Sequence, residues 1–203
     1  MKNRKQILFI HGGMTFINKK DYLNYLKNRT VNLEGYVTRS AEYLNKKLGP
    51  SYQIIRPTMP LKENAKYEDW KIFLERYIPL LRNNVILIGS SLGGIFLAKY
   101  LSEHKFPKKL KAVFLVCPPF DDTCPDEDLV GGFRLKSDLS LLEQNTKNLN
   151  LLFSADDDCV PVYHAEKYRQ KLPKGNIVIY KDKNGHFKVP VFPEIIKLIK
   201  SLK

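Results

Sequence analysis

Short, mostly apolar runs alternate along this chain with longer segments in which apolar residues recur every three or four positions. The short runs predict strands over residues 6–10, Tyr52–Ile55, 85–88, Leu110–Val116, Leu149–Ser154 and Asn176–Tyr180. The longer segments predict helices over residues 35–48, 67–81, 94–101, 162–172 and 193–202. In the first of these helices Val37, Ala41, Leu44 and Leu48 share a face. In the last, Ile195, Ile196, Leu198, Ile199 and Leu202 are apolar with lysines between them. Pro57 and Pro60 end the second strand, and Pro118-Pro119 closes the fourth.

Strands and helices in alternation imply an α/β fold: a mostly parallel central sheet of about six strands with helices on both faces. Such sheets bind ligands at the carboxyl ends of their strands. Two stretches break the pattern. Residues 14–34 carry Phe16, Tyr22, Leu23, Tyr25 and Leu26 and have room for a short helix. Residues 121–143 begin acidic and contain Gly131-Gly132. Both leave from the carboxyl edge, so each is a candidate to line or cover a pocket. The plainer reading of either is a surface connection. No repeat, low-complexity segment or linker divides the 203 residues, which read as a single domain spanning 1–203.

Composition narrows the partners. Apolar runs such as residues 112–117 are far too short to span a bilayer. The basic start Met1-Lys2-Asn3-Arg4-Lys5 is followed by too few apolar residues for a signal peptide, which predicts a cytoplasmic protein. Cys117, Cys124 and Cys159 form an odd set without a C-x-x-C, so reduced thiols are expected rather than disulfides or a zinc site. The net charge of +13, from 34 Lys and Arg against 21 Asp and Glu, is dispersed in small groups such as Lys46-Lys47, Lys108-Lys109-Lys111 and Lys197-Lys200-Lys203. With no long basic tract or nucleic-acid-binding motif, solvated helix faces account for it. Neither a nucleic-acid nor a membrane partner is expected, and a protein partner is left open.

The strongest chemical signal is Gly89-Ser90-Ser91-Leu92-Gly93, a G-x-S-x-G run between a predicted strand and a predicted helix. That context suits a nucleophilic serine. Glycines permit the sharp turn, the turn lifts the hydroxyl above the sheet edge, and the helix start leaves free N–H groups beside it for an oxyanion. No Gly-Lys-Ser/Thr follows and the spacing misses G-x-G-x-x-G, which excludes the phosphate-binding loops. A serine needs a base, and the base an orienting acid. Of the four histidines, His104 and His164 lie in helical context, whereas His11 and His186 follow strands. His186, on the loop Asn184-Gly185-His186-Phe187, is favoured as the base. The acid lies among Asp156, Asp157 and Asp158 after the fifth strand, with Asp121 and Asp122 a second source. Position does not choose between them. The acidic run lacks spaced metal ligands, so no metal or other cofactor is expected.

These residues resemble the α/β-hydrolase family, over nearly the whole chain and in the order Ser, Asp, His. Asp157-Asp158-Cys159-Val160-Pro161 looks like the family's acid turn and implies Asp157 as the acid; Ser154 stands where the family usually has glycine. Asn184-Gly185-His186-Phe187 resembles its histidine loop and His11-Gly12-Gly13 its oxyanion loop. The resemblance implies a catalytic set of Ser91, Asp157 and His186, and an oxyanion hole of the Leu92 amide with that of Gly13 or Met14. His11 would then hold the loop. The short chain, with little or no cap domain, looks like the small serine hydrolases related to retinoblastoma-binding protein 9. The expectation is hydrolysis of a carboxylic ester, thioester or amide of a small acyl substrate. The competing expectation is a catalytically weak or inactive binding protein on the same fold.

Overall fold

The computed structural model describes residues 4–31, 39–125 and 127–202. Their six strands are β1 (Lys5–Ile10), β2 (Tyr52–Ile55), β3 (Val85–Ser90), β4 (Leu110–Val116), β5 (Leu149–Ser154) and β6 (Asn176–Tyr180). They form one sheet in the order β2-β1-β3-β4-β5-β6, with every neighbouring pair parallel. The helices are α1 (Lys19–Asn28), α2 (Arg39–Leu48), α3 (Tyr67–Tyr77), α4 (Leu92–Glu103), α5 (Ser140–Asn145), α6 (Tyr163–Lys171) and α7 (Pro193–Ser201).

The central strands β1, β3, β4 and β5 are buried on both faces, which is why they read as continuous apolar runs, and the edge strands β2 and β6 are only partly covered. Alternate residues serve opposite layers. Leu8, Ile10, Val85, Leu87, Val113, Leu115, Leu151 and Phe153 pack with α3, α4, α5 and α6. Ile7, Ile86, Ile88, Ala112, Phe114, Val116 and Leu152 pack with α2 and α7. Helix α4 is buried nearly all round, from Leu92 to Leu101, and forms the middle of the first layer.

The helix expected over 35–48 is seen as α2; its start, with Val37, lies outside the described residues. The helix expected over 67–81 stops at Tyr77 and tightens into a 3-10 turn at Ile78–Leu80. Pro79 has no N–H to continue the α-helical ladder.

Both irregular stretches contribute to the architecture rather than merely connecting it. Residues 14–31 contain α1, started by Asn18, whose side-chain oxygen accepts the Asp21 amide at 3.0 Å. The other stretch inserts Leu129, Phe133 and Leu139 into the core. The two are joined to each other. Thr15 and Asp128 form an isolated antiparallel bridge. The Thr15 hydroxyl donates to the Asp128 carbonyl at 2.5 Å and accepts the Val130 amide at 3.0 Å. No separate cap domain is present among the described residues.

Candidate active site

The strand order reverses at β1, with β2 on one side and β3 on the other, so the loops after β1 and β3 emerge side by side. Ser91 follows β3 directly, with φ +54° and ψ −123°, and α4 begins at the next residue. This left-handed conformation is costly for a residue with a Cβ and is imposed by the surroundings. The flanking glycines show how. A Cβ on Gly89 would lie 2.3 Å from the Gly93 carbonyl oxygen. A Cβ on Gly93 would lie 2.5 Å from the carbonyl oxygens of both Ile10 and His11. Only glycine allows β3, α4 and the end of β1 to approach this closely. The Ser91 amide donates to the Val116 carbonyl at 2.8 Å, which fixes the turn against the end of β4.

The loops after β5 and β6 carry the other two predicted residues. Nδ1 of His186 lies 3.0 and 2.9 Å from the two carboxylate oxygens of Asp157. Asp157 is buried, and its Oδ1 also accepts the amides of Cys159 at 2.9 Å and Val160 at 2.8 Å. The three consecutive aspartates are separated by geometry. Asp156 accepts the amides of Gly185 at 2.7 Å and Lys183 at 3.0 Å, as well as the Ser154 hydroxyl, so it ties down the loop that carries His186. Those donors, the Gly185 amide first, hold its carboxyl well below the usual range. Asp158 pairs with Lys188 at 2.9 Å. Asp121, the alternative acid, pairs instead with Lys167 at 2.7 Å, and Asp122 pairs with Arg134. Neither contacts His186.

His186 Nε2 lies 3.7 Å from the Sγ of Cys117, a fully buried residue at the end of β4. No hydrogen bond joins His186 to the Ser91 hydroxyl among the described residues. Burial opposes charging the imidazole. The Cys117 sulfur and the Asp157 carboxylate outweigh it and push the His186 pKa from 6.5 up to about 10. Cys117, Asp157 and His186 each place a ligand atom within 4.8 Å of the others, the separation a metal ion needs. Asp157, however, is already committed to the imidazole and two amides. Sequence reasoning read Cys117 only as a reduced thiol. Its place at a strand's carboxyl end, before Pro118-Pro119, was the signal that could have drawn it into the site.

The three predicted oxyanion donors divide. The Met14 amide donates to the Lys62 carbonyl at 2.8 Å and is therefore occupied, a correction to its candidacy. The amides of Gly13 and Leu92 have no hydrogen-bond partner among the described residues, and a Cβ on Gly13 would lie 3.2 Å from the Leu92 side chain. His11 accepts the Met59 amide at Nε2, at 2.8 Å, and packs edge-on to Trp70. It braces the loop through these contacts. His164 is buried; its Nδ1 accepts the Phe120 amide at 3.1 Å, and burial lowers its pKa to about 4. His104 stacks on Tyr100.

Ser91 and Leu92 open onto a cavity of about 670 Å³ whose walls are the two irregular stretches. Gly13, Phe16, Tyr25 and Leu129 give it an apolar component, and Asp21, Asp122, Glu127 and Asp128 an acidic one, against a single Arg134. The acidic lining stands out in a chain of net charge +13.

A family model described as "Serine hydrolase" matches residues 41–192, about three quarters of the chain. The ydeN gene product of B. subtilis is similar in structure, with TM-score 0.73, 20% identity and 98% of each chain covered. A thioesterase domain from the curacin biosynthetic pathway superposes with TM-score 0.64 at 12% identity, covering 98% of this chain and 92% of that one. A lipase-esterase related protein from Clostridium acetobutylicum gives TM-score 0.62 at 12% identity, covering 100% and 96%. These likenesses show the α/β-hydrolase fold. No curated protein matches the sequence.

Proposed function

The chain belongs to the serine hydrolase family, and we propose that it cleaves a carboxylic ester, or a thioester or amide, through an acyl-enzyme formed on Ser91. The observation that carries this reading is the coupling of a strained serine at the start of α4 to the sheet edge from which a histidine, held by a buried aspartate, projects. In the reaction His186 takes the proton of the Ser91 hydroxyl as Oγ attacks the acyl carbonyl. Asp157 keeps Nδ1 protonated and stabilises the imidazolium. The amides of Leu92 and Gly13 receive the oxyanion, and each such donor contributes about 3 kcal/mol to the transition state. His186 returns the proton to the leaving alcohol, and water then releases the acyl group by the same steps in reverse roles. The first step requires His186 Nε2 to exchange Cys117 Sγ for Ser91 Oγ, a shift between neighbours, since Val116 immediately before Cys117 is bonded to Ser91.

No helix of the described residues is long and apolar enough to cross a membrane. The three free thiols suit a cytoplasmic setting.

Labelling by a fluorophosphonate probe tests the reading. The expected result is labelling of the native chain that vanishes in Ser91→Ala and falls sharply in His186→Ala. Absence of labelling in the folded native chain overturns it in favour of a binding protein on this fold.

A further inference from the structure

Helix α1 has no buried side chain, yet it forms a wall of the Ser91 cavity. Asp21, Asn24 and Tyr25 are the residues it turns toward that cavity. At about 100° per residue, the opposite side of the helix carries Lys19, Leu23 and Leu26, with Lys27 and Lys20 on its flank beside Asn24. Apolar exposure is concentrated around it. Ile17 is 69% exposed just before the helix and Val31 87% just after it; Leu23 and Leu26 are 42% and 39% exposed. Leu61, 67% exposed, lies two residues from Glu63, which pairs with Arg29 at the end of α1. None of Lys19, Lys20 and Lys27 has a carboxylate within 4.0 Å among the described residues, and Asp21 is the one acidic residue that shares a hollow with them.

We propose that this outer face of α1, with Ile17 and Val31 at its ends, docks on an anionic lipid surface. Leucines flanked by lysines on one side of a short helix are the pattern of interfacial helices: the apolar groups enter the acyl boundary and the cations meet the headgroups. A second copy of the chain fits less well. Ten residues span about 15 Å and offer far less than the ~800 Å² per partner of a stable interface. Two such faces would also set six lysines against each other. The lysines look dispersed in sequence, and only the helix gathers three of them on one side. For substrate choice the inference rests on the hydrolase reading. Asp21, Asp122, Glu127 and Asp128 line the cavity and repel an anionic headgroup, so the anionic lipid is the dock and the ester drawn from that surface is neutral.

Co-sedimentation of the full chain with vesicles of phosphatidylcholine, with and without phosphatidylglycerol, is the test. Binding is expected only to the anionic vesicles and is expected to fall with salt. The combined Lys19→Gln, Lys20→Gln, Lys27→Gln variant should bind about a hundredfold more weakly, roughly fivefold per lysine. The Leu23→Ser, Leu26→Ser variant should also lose binding. Fluorophosphonate labelling of Ser91 should be unchanged in the lysine variant, which separates this proposal from the hydrolase reading. No vesicle binding, equal binding to both compositions, or dimerisation that the leucine variant abolishes would each overturn it.

Discussion

The Sγ of Cys117 stands 3.7 Å from Nε2 of His186, the ring nitrogen opposite the one that Asp157 holds. A thiol therefore occupies the side of the imidazole that a serine needs, and with Asp157 it favours the charged ring. General-base catalysis requires the neutral ring, so the sign is fixed: activity should rise with pH toward the His186 pKa of about 10. The expected kcat/KM profile on a soluble neutral ester is still climbing above pH 8. Cys117→Ala should move its midpoint down toward 6.5, raising activity at neutral pH. A native midpoint already near 6.5 and unmoved by Cys117→Ala would refute this role.

The same shift has a counterpart in stability. The folded pKa of His186 lies above its unfolded value of 6.5, so charged His186 stabilises the fold. That contribution is complete below pH 6.5 and is lost as pH rises through about 10. The Tm difference between the native chain and His186→Gln should accordingly be largest in mild acid and close in alkali. His164 works the other way. Its pKa of about 4 lies below its unfolded 6.5, so the unfolded chain takes up the proton first, and stability should fall as pH drops from 6.5 toward 4. The Asp121 oxygen 3.8 Å away does not reverse this, because Lys167 already holds that carboxylate and the Phe120 amide occupies Nδ1. Urea titrations of the native chain across this range should show it.

Three adjacent aspartates should give three different phenotypes. Asp157→Asn removes the carboxylate charge and offers an NH2 donor to His186 Nδ1, which favours the wrong tautomer, and should lower kcat by about four orders of magnitude. Asp156→Ala frees the amides of Lys183 and Gly185 and loosens the histidine loop, with an expected loss of ten- to a hundredfold in kcat. Asp158→Ala loses an exposed pair with Lys188 and should stay within twofold of native. Steady-state kinetics on one ester distinguishes the three.

Gly93→Ala should destabilise the fold by about 3 kcal/mol, because the added methyl meets two backbone carbonyl oxygens at 2.5 Å and neither can yield. Gly49, at φ +73° with nothing within 4 Å of its Cβ position, is the control; Gly49→Ala should cost only about 1 kcal/mol of backbone strain. Urea unfolding of both variants measures the contrast.

Strands were legible because those covered on both faces write their burial as unbroken apolar runs, and β4, β5 and β6 coincide with the expected spans. Helix α1 was harder to see because it buries nothing, and its leucines and tyrosines are interleaved with lysines and other polar residues. Its start was nonetheless marked by Asn18 and by Asp21 three residues on. The elbow was readable since its glycines answer a local steric demand. The choice of Asp157 over its neighbours was not available from position; it came from resemblance, and of the three it is the Asp157 carboxylate that meets the His186 ring. Cys117 was harder to place because its partner is 69 residues away, and its position at the end of β4 is the one local sign of it.

The Thr15–Asp128 bridge closes a loop of 113 residues. Contacts of such span form late, since chain entropy must be overcome before they return anything. During synthesis the cavity therefore has only one side until Asp128 is free to fold back, and the His186 loop arrives later still. A chain arrested before that point holds Ser91 in open solvent without the base that the proposed reaction requires.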